Sequence, residues 1–206
     1  MPRPDKGTRQ KLVDTANNLI WTSSYGSVSV DDICRAADVK KGSFYHYFPS
    51  KVDLAIAAME EHFAADLEPN FQRIFAANIP FAQQIENLSA FILEEQHNAL
   101  EKYGRVCGCP MAALGSEMIG EEGQIISAKV QEMFGKYQQY LLEGVSKAFD
   151  GKDAEEKTRE LHDFITGLMM MARINNTLDG LKHDLKPGML RIFGLESERQ
   201  ILKKSF

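Results

Sequence analysis

Apolar residues recur every three or four positions along nearly the whole chain. Sustained apolar–polar alternation of the strand kind is missing, so the pattern predicts an all-α fold. Leu12, Val13, Ala16, Leu19 and Ile20 share one face of a first helix from Thr8 to about Ser23, which Tyr25-Gly26 ends. Ser29, with Asp32 three residues on, reads as a capping-box start to a second helix whose Ile33, Ala36 and Ala37 face the core. Asp38-Val39-Lys40 is a turn, Lys41 to Phe48 a third helix, and Pro49-Ser50 its stop. Ser50 caps a fourth helix carrying Leu54, Ala55, Ala58, Met59 and Phe63.

Glu68-Pro69 is expected to break or kink that helix, and Ile79-Pro80 to start the next, with Ile85, Leu88, Phe91, Ile92, Ala99 and Leu100 inward and Gly104 at its end. Gly108-Cys109-Pro110 opens a short helix through Met118, and Gly120 to Gly123 reads as a break. The strongest periodicity follows, from Ile126 through Val130, Tyr137 and Leu141 to Phe149. Asp150-Gly151-Lys152-Asp153 is a turn before a long helix marked by Leu161, Phe164, Ile165, Leu168 and Ala172. A final helix with Leu178, Leu181 and Leu185 is interrupted at Pro187-Gly188, and the charged tail from Glu196 is loosely held.

Two short helices joined by a tight turn, the second rich in hydrogen-bond donors, point to a DNA-reading helix-turn-helix. Lys41 can reach a guanine edge or a phosphate, and Gly42 lets the backbone approach the groove. Ser43, Tyr45, His46 and Tyr47 can bond phosphates. Lys40 adds charge in the turn. Ser29 and Lys51, each at a helix start, sit where the helix dipole favours phosphate. Phe44 and Phe48 hold the third helix against its neighbours.

Charge sharpens this picture. The whole chain carries a net charge of -5, yet residues 1–51 carry +3 and the remainder -8. A basic head on an acidic body suits a DNA reader joined to a part with another task. No apolar run approaches a membrane span, and the N-terminus lacks the apolar core of a signal peptide. Three cysteines, an odd number, suggest no disulfide framework and a reducing cytoplasm. Cys107 and Cys109, with no close His, make a poor metal pattern, so no metal or cofactor is expected.

Residues 8–55 resemble the N-terminal domain of the tetracycline-repressor (TetR/AcrR) family. The resemblance rests on Ala16, Gly26, Val30-Asp31-Asp32-Ile33, Ala36-Ala37, Val39, Lys41 through Phe48, Ser50-Lys51 and Leu54. It implies a helix-turn-helix domain over 1–51 and an all-helical effector-binding and dimerisation domain over 52–206. It also implies a non-enzymatic homodimeric regulator, in most cases a repressor, released from a palindromic double-stranded DNA operator by a small molecule. An apolar effector cavity would draw on Phe63, Phe91, Met111, Met118, Tyr137 and Met169. The last two helices would pair with a second copy through Leu161, Ile165, Gly167, Leu168, Ala172, Leu178 and Leu181.

The Gly-Cys-Pro turn further resembles a branch related to the N-ethylmaleimide-reductase repressor, some members of which sense electrophiles or oxidants. That likeness makes Cys109 a candidate sensor thiol with Cys107 beside it. Three alternatives stand beside it: Cys109 as buried filler, Cys109 as the nucleophile of a helical enzyme, and a helix-turn-helix protein regulated by a protein partner.

Overall fold

Local chemistry starts and stops most of the helices. The computed structural model describes residues 6–117 and 120–195. Met118 and the tail from Glu196 lie outside the described residues. α1 (Lys6–Thr22) is followed by α2 (Val30–Ala37), which begins at Ser29. The Ser29 hydroxyl accepts from the Asp32 N–H at 3.1 Å, and the Ser29 N–H donates to the Asp32 carboxylate at 3.0 Å. This reciprocal pair satisfies donors that a helix start leaves open. Asp38 closes α2 in the left-handed region at φ 53°. α3 (Lys41–Tyr47) follows, and α4 (Lys51–His62) starts from Ser50, whose hydroxyl accepts from the Asp53 N–H at 3.2 Å.

Five expectations change. Phe63–Leu67 is a turn of π-helix followed directly by α5 (Glu68–Ile74), so Pro69 causes no break. Proline has no N–H for the regular i→i−4 ladder, and the π turn just before it is where that ladder already changes its spacing. α6 (Phe81–Tyr103) ends at Gly104 in the left-handed region, and α7 (Pro110–Ser116) carries proline in its first position. α8 (Gly120–Val145) absorbs Gly120 to Gly123 into its first turn. α9 (Gly151–Asn175) begins inside the expected turn, with Asp150 as its N-cap.

α10 (Asp179–Ile192) runs through Pro187 without interruption. An interior proline costs about 3 kcal/mol, and each fully buried large side chain returns about 1.5–3 kcal/mol. Leu181, Leu185 and Met189, all buried on the same helix, outweigh it. Gly188 lets α10 lie close on α9, because an added Cβ would meet the Phe164 ring. In α2, Ile33, Cys34 and Ala37 form the buried face, and Ala36 is exposed because it falls on the opposite side.

The chain divides into two compact units. One holds the described residues up to Leu67 together with Pro110–Met133; the other holds Glu68–Cys109 and the residues from Phe134 onward. The first unit is built on Leu12, Val13, Ala16, Ile33, Phe44, Phe48 and Leu54. The second is built on Ile74, Ile85, Leu88, Leu141, Leu161, Ile165 and Leu185. Among the described residues there is no strand, and no helix is long and apolar enough to cross a membrane.

Candidate functional site

α3 presents two faces with different jobs. Phe44 and Phe48 are buried in the first unit's core, with Phe44 fully so. Lys41, Gly42, Tyr45 and His46 point outward, and Lys40 is exposed just before them. The Tyr45 ring is 51% exposed, unusual for so large a side chain. A Cβ on Gly42 would meet nothing within the chain, so its surface is open to an approaching partner. Lys41 Nζ pairs with Asp31 at 2.8 Å, which ties α3 to α2 and raises the Lys41 pKa above the ordinary lysine value. Ser43 is half-buried.

Three expected DNA contacts have other duties. The Ser29 hydroxyl donates to the Asp32 carboxylate at 2.6 Å within the cap, so it is engaged locally rather than free for phosphate. Hydrogen bonds from Ser29 hold the Asp32 carboxyl below its usual range. Tyr47 is half-buried and packs against the head's core. Lys51 folds back over the Tyr25 ring, 3.9 Å from its centroid, and donates to the carbonyls of Tyr25 and Val28 at 2.9 and 3.0 Å. It pins the α1–α2 loop, because carbonyls in an irregular loop lack helical partners and a nearby ammonium satisfies them.

The cysteine turn is locked rather than open. Gln96 grips Gly108, accepting from its N–H at 2.9 Å and donating to its carbonyl at 3.2 Å. Arg173 donates to the Cys107 carbonyl at 2.7 Å, and Asn176 accepts from the Val106 N–H at 3.0 Å. Cys107 and Cys109 are both buried, Cys109 at 7% exposure. Burial pushes the Cys107 thiol up, against the thiolate that reactivity needs. An accessible sensor thiol is therefore not what this turn presents.

The expected effector residues are divided. Phe63 and Met111 are buried in the first unit; Phe91 and Tyr137 are buried in the second, and Met169 is half-buried there. Phe71 links two of them, stacking on Tyr137 at 4.8 Å and meeting Phe91 edge-on at 6.0 Å. Burial pushes the Tyr137 phenol well up.

The expected pairing surface also needs correction. Leu161, Ile165, Ala172, Leu178 and Leu181 are buried within a single chain, so they are core. Gly167 is exposed and Leu168 half-buried. The exposed apolar surface of α9 is instead Met171 at 50% and Ile174 at 69%. With Gly167 these residues fall at helical spacing on one face. Sequence reasoning passed over them because they fall outside the inward periodicity. It also passed over Gln96, Arg173 and Asn176, whose partners are backbone groups distant along the chain.

Residues 12–58 match the family described as bacterial regulatory proteins, tetR family. The transcriptional regulator AcuR of Cereibacter sphaeroides is 35% identical over 112 residues, 53% of this chain and 48% of that one. The HTH-type transcriptional repressor NemR of Escherichia coli is 27% identical over 111 residues, 54% of each chain. The chain thus spans about half the length of the curated relatives it matches. Solved structures agree over a longer stretch. SCO4454, a TetR-family transcriptional regulator from Streptomyces coelicolor, superposes with a TM-score of 0.78 at 17% identity, covering 94% of this chain and 98% of that one. Reduced NemR of E. coli gives 0.72 at 19%, covering 92% and 97%. At such identities the likeness is one of fold. Residues 12–58 thus match the tetR-family model, and the chain shares its all-helical fold with these solved regulators.

Proposed function

We propose that the protein is a homodimeric DNA-binding transcriptional repressor, released from a pseudo-palindromic operator by a small-molecule effector. The observation that carries the reading is the outward face of α3. It sets Lys41, Gly42, Tyr45 and His46 together on a helix whose other face is buried, with Lys40 exposed just before them. Such a helix enters a major groove, and one copy reads too few base pairs to be specific, so two copies are needed. Gly167, Met171 and Ile174 on α9, with the half-buried Leu168, supply the surface for the second copy. The names of the relatives, regulator and repressor, agree with this role.

Release is a population shift: an effector bound to the second unit favours a dimer that does not fit the operator. The effector binds reversibly rather than as an adduct at Cys107 or Cys109, because both thiols are buried. Affinity for the DNA upstream of the protein's own gene, measured across a salt series, tests the DNA reading. Lys40 and Lys41 in two copies predict a log–log slope of about -4 at roughly -0.9 per phosphate. A flat response refutes it. Operator binding indifferent to every small molecule tried would turn the reading toward a protein partner.

A further inference from the structure

We propose that α9 carries the recognition groups for the effector, Thr158 and His162, and that they read the hydroxyl of a neutral aromatic molecule. The inference rests on the proposed effector-released regulator and names the ligand class of its second unit. Thr158 and His162 are 4% and 6% exposed. They lie one turn apart on α9, on the same face. The Thr158 hydroxyl and the His162 Nε2 have no hydrogen-bond partner among the described residues. Buried polar atoms are almost always partnered, and two orphans side by side on one helix face mark a place built for something else.

The chemistry of that place is specific. His162 Nδ1 lies 3.2 Å from the Asp163 carboxylate, which only accepts hydrogen bonds, so in the neutral ring Nδ1 carries the proton. Nε2 then presents a lone pair and requires a donor. The Thr158 hydroxyl, one turn away, can give a hydrogen bond in return. A hydroxyl is the smallest group that donates to one and accepts from the other. A carboxylate ligand has no proton for Nε2, and Asp163 adds a like charge nearby. The neighbours are aromatic: Phe134 meets the His162 ring edge-on at 4.8 Å, and Tyr137 lies 5.7 Å away. Phe71 and Phe91 continue that aromatic cluster beyond Tyr137. Edges and faces of rings suit another flat ring.

The test compares p-cresol with p-xylene, which has the same shape but a methyl in place of the hydroxyl. Both are titrated calorimetrically into the full-length protein and into Thr158→Val and His162→Phe. The wild type binds p-cresol about tenfold tighter than p-xylene, and either substitution closes the gap while leaving p-xylene unchanged. A second measurement guards against a purely structural role. Ligand-free Thr158→Val melts no lower than the wild type, because an unpartnered buried hydroxyl becomes a methyl of similar shape. Equal binding of the two probes by the wild type overturns the proposal. So does a lower melting temperature of ligand-free Thr158→Val, which would mean the hydroxyl already has a partner such as a trapped water. If p-cresol binds with the expected dependence on Thr158 and His162 yet leaves the operator occupied, the site stands and release by a small molecule fails.

Discussion

Replacing Gly188 with alanine sets two effects of opposite sign against each other on α10. Alanine is favoured over glycine inside a helix by about 1 kcal/mol. Its Cβ, however, would sit 2.7 and 2.8 Å from Cε1 and Cε2 of Phe164, with Cζ closer still. Ordinary carbon contacts need roughly 3.5–4.0 Å, so the ring must move by about 1.5 Å or more. Phe164 has only two rotatable bonds, and its movement in a packed interface costs about 1–3 kcal/mol, including the strain of an off-rotamer ring. The substitution is therefore expected to destabilise by about 1–2 kcal/mol net. In a Phe164→Leu background the obstructing ring atoms are gone, and the same substitution becomes stabilising by up to about 1 kcal/mol. Urea unfolding followed by far-ultraviolet circular dichroism on the four proteins of this cycle reads both numbers. If Gly188→Ala stabilises the wild type, or costs the same in both backgrounds, the close approach of α10 to α9 is not what that glycine serves.

Other outcomes follow from the same geometry. Lys51→Met keeps the stem over Tyr25 but loses the bonds to two loop carbonyls, at a cost of about 1–3 kcal/mol; a variant that melts like the wild type but fails to bind DNA would return Lys51 to a phosphate contact. His62 is buried against Trp21, and burial lowers its pKa below 6.5 despite the opposing Asp66 carboxylate 2.8 Å away. As pH falls through 6.5 the unfolded chain takes up the proton first, so stability declines from there down to the folded-state pKa. His62→Gln should lose that slope in melting curves between pH 7 and 5, a range set by the ordinary histidine pKa of about 6.5. Ile174→Asp should leave the helix content intact and yield a monomer by light scattering; a stable dimer would move the pairing surface off that face of α9.

What the sequence disclosed depends on how local each signal is. The cap formed by Ser29 and Asp32 was legible because both partners lie within four residues. The buried face of α3 was legible for the same reason, since Phe44 and Phe48 follow helical spacing. The bonds from Lys51 were not legible because its partners are the backbone carbonyls of Tyr25 and Val28, and a carbonyl has no sequence signature. Pro187 and Gly120 to Gly123 were read as breaks because local propensity says so, yet burial of Leu185 and Met189 decides the case for α10. The residues expected to pair with a second copy are core for a related reason. Periodicity marks a helix's apolar face, but it does not tell whether the same chain or another covers it. Leu161 and Ile165 are covered by their own chain, while Met171 and Ile174 are left outside.

On the proposed reading, the ion pair between Lys41 and Asp31 makes DNA binding an exchange of partners. At rest the Lys41 ammonium is already paired with a carboxylate 2.8 Å away. A duplex that offers only phosphate must draw the ammonium off Asp31 while bringing its own negative charge toward that same carboxylate. A duplex that offers a well-placed guanine edge has an uncharged acceptor to give, and suffers less of that repulsion. On the proposed reading, Asp31 thus acts as a doorkeeper that raises the threshold for every sequence and raises it most for the wrong ones. Asp31→Asn should bind random DNA more tightly and flatten the ratio between operator and competitor, so that an affinity-enhancing change yields a poorer switch.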